Sequence, residues 1–168
     1  MRDDDVDVIV RQWAQEVPDL DTRAMELFGR IYRISTLMGQ RMTDAYAPYA
    51  LHRSEFDVLA TLRRAGEPYR LAPTDLARSM MITTGGMTGR LDRLVERGLV
   101  ARVPHPYDNR RTFAQLTDDG KKLIEQAVVA GVAAQKFVAD EVGEDLPALL
   151  DTLRDVLAVL DHPHHTVR

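Results

Sequence analysis

The sequence contains no cysteine. This absence excludes disulfide bonds, thiol catalysis and thiol-based redox sensing, and it is typical of a cytoplasmic protein. No apolar run approaches the roughly 20 residues that a transmembrane helix requires. The N-terminal "MRDDDVDV" is acidic and lacks the basic start and apolar core of a signal peptide. We therefore predict a cytoplasmic protein with no membrane partner.

The chain also lacks a strong net charge, because its formal charge is −4 over 168 residues. The charges are nevertheless uneven along the sequence. Residues 1–21 and 112–168 are acidic, whereas residues 63–111 hold ten arginines against five acidic residues. A basic region of this kind indicates a polyanionic partner, and a solvated arginine-rich face is the alternative interpretation.

The spacing of apolar residues predicts a mainly helical chain. Ser54 is expected to cap the third helix, with Asp57 three residues later in a capping box. Thr117 is expected to begin a long helix. The predicted helices cover 4–16, 22–46, "HRSEFDVLATLRRAG", "PTDLARSMM", "TGGMTGRLDRLVER", 117–141 and a last segment from Leu146 to Leu160.

Two strand-like runs, Leu99–Val103 and Thr112–Leu116, flank the loop "PHPYDNRR". This loop is long for a hairpin, and its prolines are expected to stiffen it. The order of helix, short strand, helix, tight turn, helix and hairpin is that of a winged helix-turn-helix. The predicted fold class is therefore mainly α with a small β wing. We predict one domain over 1–168, with DNA-binding residues 52–117 and dimerisation helices in 1–50 and 118–162.

In a helix-turn-helix, the second helix enters the major groove of DNA by its N-terminal end. Here that end is "TTGGMTGR", whose hydroxyl groups suit phosphates and base edges and whose glycines permit close approach. A poorly packed helix start is the alternative. The predicted DNA contacts on the two helices are Thr74, Thr83, Thr84, Gly86, Thr88, Arg90 and Arg93.

The hairpin tip would then lie over the neighbouring minor groove, whose negative potential attracts arginine. Arg110 is the predicted minor-groove residue and Arg111 the predicted contact to the flanking phosphate. Asp108 cannot favourably face phosphate, so we expect it to pair with an arginine and shape the loop. An ordinary charged, solvent-exposed turn is the alternative interpretation of "DNRR".

The chain resembles the MarR family of bacterial transcriptional regulators. The family's wing signature, D-x-R followed by five residues and Leu-Thr, matches "DNRRTFAQLT", and "GGMTGRLDRLVERGLV" is similar to its recognition helix. The resemblance implies a homodimer that binds a pseudo-palindromic operator in double-stranded DNA, usually as a repressor released by a small molecule.

The additional N-terminal helix resembles the urate-responsive branch of that family. The resemblance implies a site for a small anionic effector such as urate, formed by Trp13, Asp57, Arg90 and Arg102. Arginines bind planar anions bidentately and an indole ring stacks on planar ligands. As alternatives, Trp13 is a core residue, Asp57 is a capping or ion-pair residue, and Arg90 contacts phosphate only.

No catalytic set of carboxylates, nucleophile and base is recognisable, so we predict no enzyme activity and no resident cofactor. The tail histidines His162, His164 and His165 suggest a metal site only weakly, and we predict none. The remaining alternative is an architectural or constitutive DNA-binding regulator that responds to no ligand.

Overall fold

The structure is a computed structural model, and it describes residues 3–80, 84–105 and 108–161. The chain forms two compact units, Met1–Gly131 and Val132–Arg168. None of the described helices combines the length and the apolar character that crossing a lipid bilayer requires.

Helices dominate both units, as the apolar spacing predicts. In chain order they are α1 (Asp5–Glu16), α2 (Arg23–Tyr46), α3 (Arg53–Arg64), α4 (Pro73–Ser79), α5 (Thr84–Glu96), α6 (Asp118–Val142) and α7 (Leu146–Asp161). Short 3-10 helices follow α2 at Ala47–Tyr49 and α6 at Gly143–Asp145. The strands are β1 (Arg70–Leu71), β2 (Val100–His105) and β3 (Asp108–Leu116). The mainly helical fold with a small sheet is confirmed.

Helix α1 is capped by its own carboxylates and held on α2. Asp4 accepts hydrogen bonds from the backbone N–H groups of Val6 (2.8 Å) and Asp7 (3.1 Å). Arg30 on α2 donates to Asp4 (2.9 Å) and to Asp7 (2.6 Å). Beside these ion pairs the helices approach closely, because a Cβ on Gly29 would lie 3.0 Å from Val6 Cγ1.

The predicted cap of α3 is wrong by two residues. The helix begins at Arg53, its N-cap is His52, and Glu55 is the third helical residue. A Glu55 carboxylate oxygen accepts the His52 backbone N–H at 3.1 Å, which closes the capping box in place of the predicted Ser54 and Asp57 pair. Asp57 consequently lies one turn inside the helix, where its side chain is available for other contacts.

The sheet has the order β1-β3-β2 and is antiparallel throughout. Its strands are longer than predicted, because β2 continues through Pro104 to His105 and β3 begins at Asp108. The register shifts between Pro104 and His105, so the proline sits at an irregularity, where a strand tolerates the loss of an N–H donor. The predicted long loop is therefore wrong at both ends, and its residues Pro106 and Tyr107 lie outside the described residues.

The core of the first unit is formed where α3, α4 and α5 converge with the start of α6. Its fully buried apolar side chains come from all four helices, and they include Val58, Leu59, Leu62, Leu76, Met87, Leu91, Leu94 and Ile124. These positions repeat at helical spacing along each element, as expected for helices that bury one face. This core fixes α5 against α3, which determines the geometry of the sites described below.

Candidate nucleic-acid interface and ligand cleft

Helices α4 and α5 form the helix-turn-helix pair. Pro73 occupies the first position of α4, where its missing N–H costs nothing. Helix α5 buries Met87, Leu91 and Leu94 against the core. The predicted DNA contacts Thr74, Gly86 and Thr88 are exposed to solvent. Thr84 is the first residue of α5, and Thr83 lies outside the described residues.

The wing carries the remaining predicted DNA contacts. Arg110 and Arg111 belong to β3, and Asp108 is its first residue, so all three lie on a strand instead of in the predicted loop. Between the registered pairs His105–Asp108 and Pro104–Thr112, this part of β3 has more residues than the facing strand. An irregularity of this kind bends a hairpin and redirects its side chains.

The first wing strand is tied to α5 through an exposed ion pair. Arg102 on β2 donates from Nη2 to Asp92 Oδ1 at 2.6 Å. Asp92 follows Arg90 by two positions on α5, which places the two side chains on different faces of the helix. Arg102 therefore occupies the wing side of α5, away from the helix face that carries Arg90.

The other flank of α5 presents arginines to α3. Arg90, Arg93 and Arg97 follow one another at intervals of three and four residues, so they form one row. Arg93 Nε and Arg97 Nη1 each lie 3.2 Å from a Glu55 carboxylate oxygen. Sequence reasoning missed Glu55. The pattern that could have identified it is a glutamate three residues after the N-cap His52, which is the glutamate position of a capping box.

Asp57 lies two positions after Glu55 on α3, and of the α5 arginines it is Arg90 whose charge acts on it. Its side chain is half-buried beside a cleft of about 500 Å³. Burial raises the pKa of the Asp57 carboxyl above its ordinary value of 3.8, while the positive charges of Arg53, Arg90 and Arg64 lower it. The described residues that line the cleft are Phe56, Asp57, Ala60, Thr61, Arg64, Ser79, Met80 and Val128.

The aromatic rings of Tyr46 on α2 and Phe56 on α3 pack against each other beside Asp57. The rings of Tyr46 and Phe56 are stacked, with centroids 4.0 Å apart and planes inclined by 14°. Burial and the negative charge of Asp57 raise the pKa of the Tyr46 phenol to about 12, and the charge of Arg53 lowers it. Helix α6 passes close to this ring, because a Cβ on Gly131 would lie 2.8 Å from the Tyr46 hydroxyl.

Of the four residues predicted to bind an effector, one lines the cleft. Asp57 lines the cleft, and the charge of Arg90 acts on it across the α3–α5 interface. Trp13 lies on α1, which packs against α2, and it is 42% exposed. Arg102 is paired with Asp92 on the wing side of α5. Arg90, Trp13 and Arg102 are not among the described residues that line the cleft.

Replacement of Asp57 by asparagine is expected to stabilise the protein at neutral pH. The folded-state pKa of Asp57 is raised, so the folded form favours the protonated carboxyl, and stability falls as pH rises from the ordinary aspartate range through the raised pKa. At pH 7 the Asp57 carboxyl is charged, so the folded protein bears the full free-energy penalty of burying that charge. Asparagine is neutral and removes this penalty. We expect Asp57→Asn to raise Tm by a few degrees at pH 7 and to match the wild type at the lowest pH at which both remain folded.

Thermal denaturation at a series of pH values measures this difference. Asp44→Asn is the matched control, because Asp44 is exposed on α2. It should leave Tm unchanged across the series. An equal or lower Tm for Asp57→Asn at pH 7 would contradict the assigned effect of burial.

No group of histidine, aspartate and glutamate side chains within residues 3–80, 84–105 and 108–161 is arranged to hold a metal ion. The tail histidines His162, His164 and His165 lie outside the described residues. The chemistry present at the α3–α5 interface is that of guanidinium–carboxylate pairs, which suits the binding of anions and the positioning of a helix.

Comparisons with known proteins agree with this architecture. The model of the MarR family matches residues 51–111, which contain α3, α4, α5 and the first wing strand. The chain is 38% identical to the HTH-type transcriptional regulator PecS of Dickeya dadantii (strain 3937), over 84% of this chain and 85% of that protein. It is 33% identical to the HTH-type transcriptional repressor YetL of Bacillus subtilis (strain 168), over 70% of each chain.

A solved structure shows the same fold in the presence of DNA. A mutant MarR from E. coli, crystallised in complex with operator DNA, superposes with a TM-score of 0.70 at 26% identity and covers 83% of this chain and 98% of its own. The chain belongs to the MarR family of DNA-binding transcriptional regulators.

Proposed function

We propose that this regulator represses transcription by binding a pseudo-palindromic operator as a homodimer, and that a small planar anion such as urate releases it. The observation that carries the proposal is that Asp57 lies in the cleft wall and the positive charge of Arg90 acts on it. Asp57 lines the cleft, whereas Arg90 belongs to the recognition helix α5. A ligand that changes this pair therefore acts directly on the element that enters the major groove.

The operator contacts in this proposal come from the exposed side of the helix-turn-helix and from the wing. Threonine hydroxyls near the start of α5 suit phosphates and base edges, and wing arginines suit the minor groove. The residues proposed to contact DNA are Thr74, Thr83, Thr84, Gly86, Thr88, Arg110 and Arg111.

Charge explains how an anion would act. Without a ligand, the guanidinium of Arg90 is attracted by the Asp57 carboxylate. An anion in the cleft competes with that carboxylate for the arginine and offers it a bidentate planar partner. Burial raises the pKa of Asp57, so its carboxyl can take up a proton when the anion displaces it from the arginine, and no unpaired buried charge is left. A shift of Arg90 toward the ligand would reorient α5.

The proposed homodimer rests on exposed apolar surface in both compact units. Helices α1 and α2 expose large apolar side chains that include Ile9, Trp13, Ile34 and Leu37, and α7 exposes a row of leucines. Exposed apolar side chains of this kind, on each unit taken by itself, mark protein–protein contacts. A symmetric pair of recognition helices also matches an operator with two half-sites.

The proposal predicts operator binding that urate weakens. Fluorescence anisotropy with duplexes from the region upstream of the gene should reveal a duplex bound far more tightly than a scrambled one. Urate should weaken that binding by roughly 5–150-fold, the usual range of coupling between sites. It should also raise Tm, because a ligand of the folded state stabilises it.

Two comparisons make this experiment specific. A neutral purine of similar shape should have no effect, since the proposed site selects for negative charge. Arg90→Gln should still fold and should bind urate at least about tenfold more weakly. If neither urate nor related anions change Tm or operator binding, the effector part is wrong and a constitutive regulator remains. If no upstream duplex is preferred over scrambled DNA, the operator part is wrong.

A further inference from the structure

Glu55 is a buried carboxylate for which the proposed function gives no role. It lies in the first turn of α3 and is 2% exposed. Its oxygens accept hydrogen bonds from the His52 backbone N–H (3.1 Å), from Arg97 Nη1 (3.2 Å) and from Arg93 Nε (3.2 Å). A buried charge is tolerated only when it is paired in this way, so the arrangement is specified closely by its partners.

Three segments of the chain are joined through this carboxylate and its arginines. Glu55 belongs to α3, Arg93 lies in the C-terminal half of α5, and Arg97 directly follows the last residue of α5. Arg97 Nη2 also donates to the Tyr49 carbonyl oxygen at 3.4 Å. Tyr49 belongs to the 3-10 helix that continues α2. The contact therefore ties the recognition helix to α3 and to the end of α2 at the same point.

The same geometry bears on the predicted DNA contact of Arg93. Its Nε is directed to Glu55 across the α3–α5 interface. A guanidinium that uses Nε for a buried carboxylate has lost part of the donor set with which it would bind a phosphate bidentately. The neighbouring charge of Glu55 also offsets its attraction to DNA. Arg93 is thus placed to hold α5 and poorly placed to add phosphate affinity.

We propose that Glu55 is a positioning residue that fixes the orientation of α5 through Arg93 and Arg97, and that it thereby determines operator specificity. Contacts to base edges require side chains within hydrogen-bonding tolerance, so they depend on helix orientation. Phosphate affinity depends mainly on the number of cationic contacts. Loss of the Glu55 contacts should therefore reduce discrimination between sequences. This inference rests on the proposed role of α5 in binding the operator.

Glu55→Gln in the full chain tests the inference. Glutamine keeps an acceptor for the His52 N–H, so the start of α3 is preserved, but it removes the charge that holds both arginines. Binding is measured by anisotropy on the operator duplex and on a scrambled duplex over a range of salt concentrations. We expect operator affinity to fall by about 10–100-fold, the value of one displaced base contact, while affinity for scrambled DNA is unchanged or higher.

Arg93→Gln provides a second measurement, which tests the inference even if Glu55→Gln does not fold. If Arg93 positions α5, the variant loses specificity and keeps the wild-type slope of log affinity against log salt. If Arg93 instead contacts a phosphate, that slope decreases in magnitude by about 0.9 and both duplexes weaken alike. The second result would overturn the inference, as would an unchanged ratio of operator to scrambled affinity in both variants.

Glu125→Gln is the matched control. Glu125 on α6 pairs with Arg63 on α3 at 2.9 Å, so the variant breaks a glutamate–arginine pair between helices without involving α5. It should change neither affinity nor salt dependence. An equal loss of specificity in this control would overturn the inference by showing that any such pair has the same effect. A wild-type protein that prefers no operator would overturn the proposed function itself.

Discussion

Replacement of Gly120 by alanine is expected to lower the free energy of unfolding by about 3 kcal/mol or more. A Cβ at this position would lie 2.0 Å from the Leu99 carbonyl oxygen and 2.9 Å from the Leu99 carbonyl carbon. Both atoms belong to backbone, so no side-chain rotation relieves the contact. The start of α6 would have to move away from the turn between α5 and β2.

That movement is opposed by three hydrogen bonds. The Thr117 hydroxyl donates to the Gly98 carbonyl at 2.7 Å and accepts the Gly120 N–H at 3.0 Å. The Thr117 N–H donates to the Leu99 carbonyl at 3.2 Å. One threonine thus caps α6 and holds it against the turn, which is why only glycine fits one helical turn later. Separating the two elements would break the cap as well as the packing.

Equilibrium denaturation at a fixed protein concentration measures the effect. Gly39→Ala is the control, because Gly39 is also helical and its added Cβ would meet only Arg53 Nη1, at an ordinary 3.7 Å. That control should gain roughly 0.5–1 kcal/mol, the usual advantage of alanine over glycine within a helix. If Gly120→Ala is as stable as Gly39→Ala, the close approach of α6 to Leu99 is wrong.

Gly120 also illustrates which parts of the fold a sequence can predict. The Thr117 cap is a local pattern of a hydroxyl followed by acidic residues, and the structure confirms it. The need for glycine at 120 depends on a carbonyl 21 positions earlier in the chain, and local patterns hold no information about that approach. The extent of the wing strands was predicted wrongly for a related reason, because Pro104 resembles a loop residue until its partner strand is known.

The residues of the candidate sites also fall into those that the sequence predicts and those that it misses. Resemblance to a family predicted Asp57 and Arg90 as effector residues, and the structure shows Asp57 in the cleft wall with the charge of Arg90 acting on it. Glu55 was missed because its sequence neighbours favoured a cap at Ser54, and its function depends on two arginines about 40 positions later. The effector roles of all four residues stay predictions, and Trp13 and Arg102 lie on elements away from the cleft wall.

Conversion of Leu157 to glutamate is expected to dissociate the proposed homodimer. The exposed leucines of α7 recur at helical spacing and include Leu149, Leu150, Leu153, Leu157 and Leu160, of which Leu157 is 59% exposed. In a symmetric dimer each substitution occurs twice. A loss of roughly 2 kcal/mol of apolar burial on each copy corresponds to about a thousandfold increase in the dimer dissociation constant.

Sedimentation equilibrium over a dilution series measures that constant. Ala148→Glu adds the same charge on the face of α7 opposite Leu157, because the nine intervening positions are two and a half helical turns; Ala148 is exposed, and this variant should leave the dimer intact. The Leu157→Glu monomer should also lose the steep preference for operator over scrambled DNA, because a single recognition helix spans only one half-site. A dimer of wild-type strength in Leu157→Glu would show that this row of leucines does not contribute to the subunit interface, and the apolar surface of α1 and α2 would then be the remaining candidate.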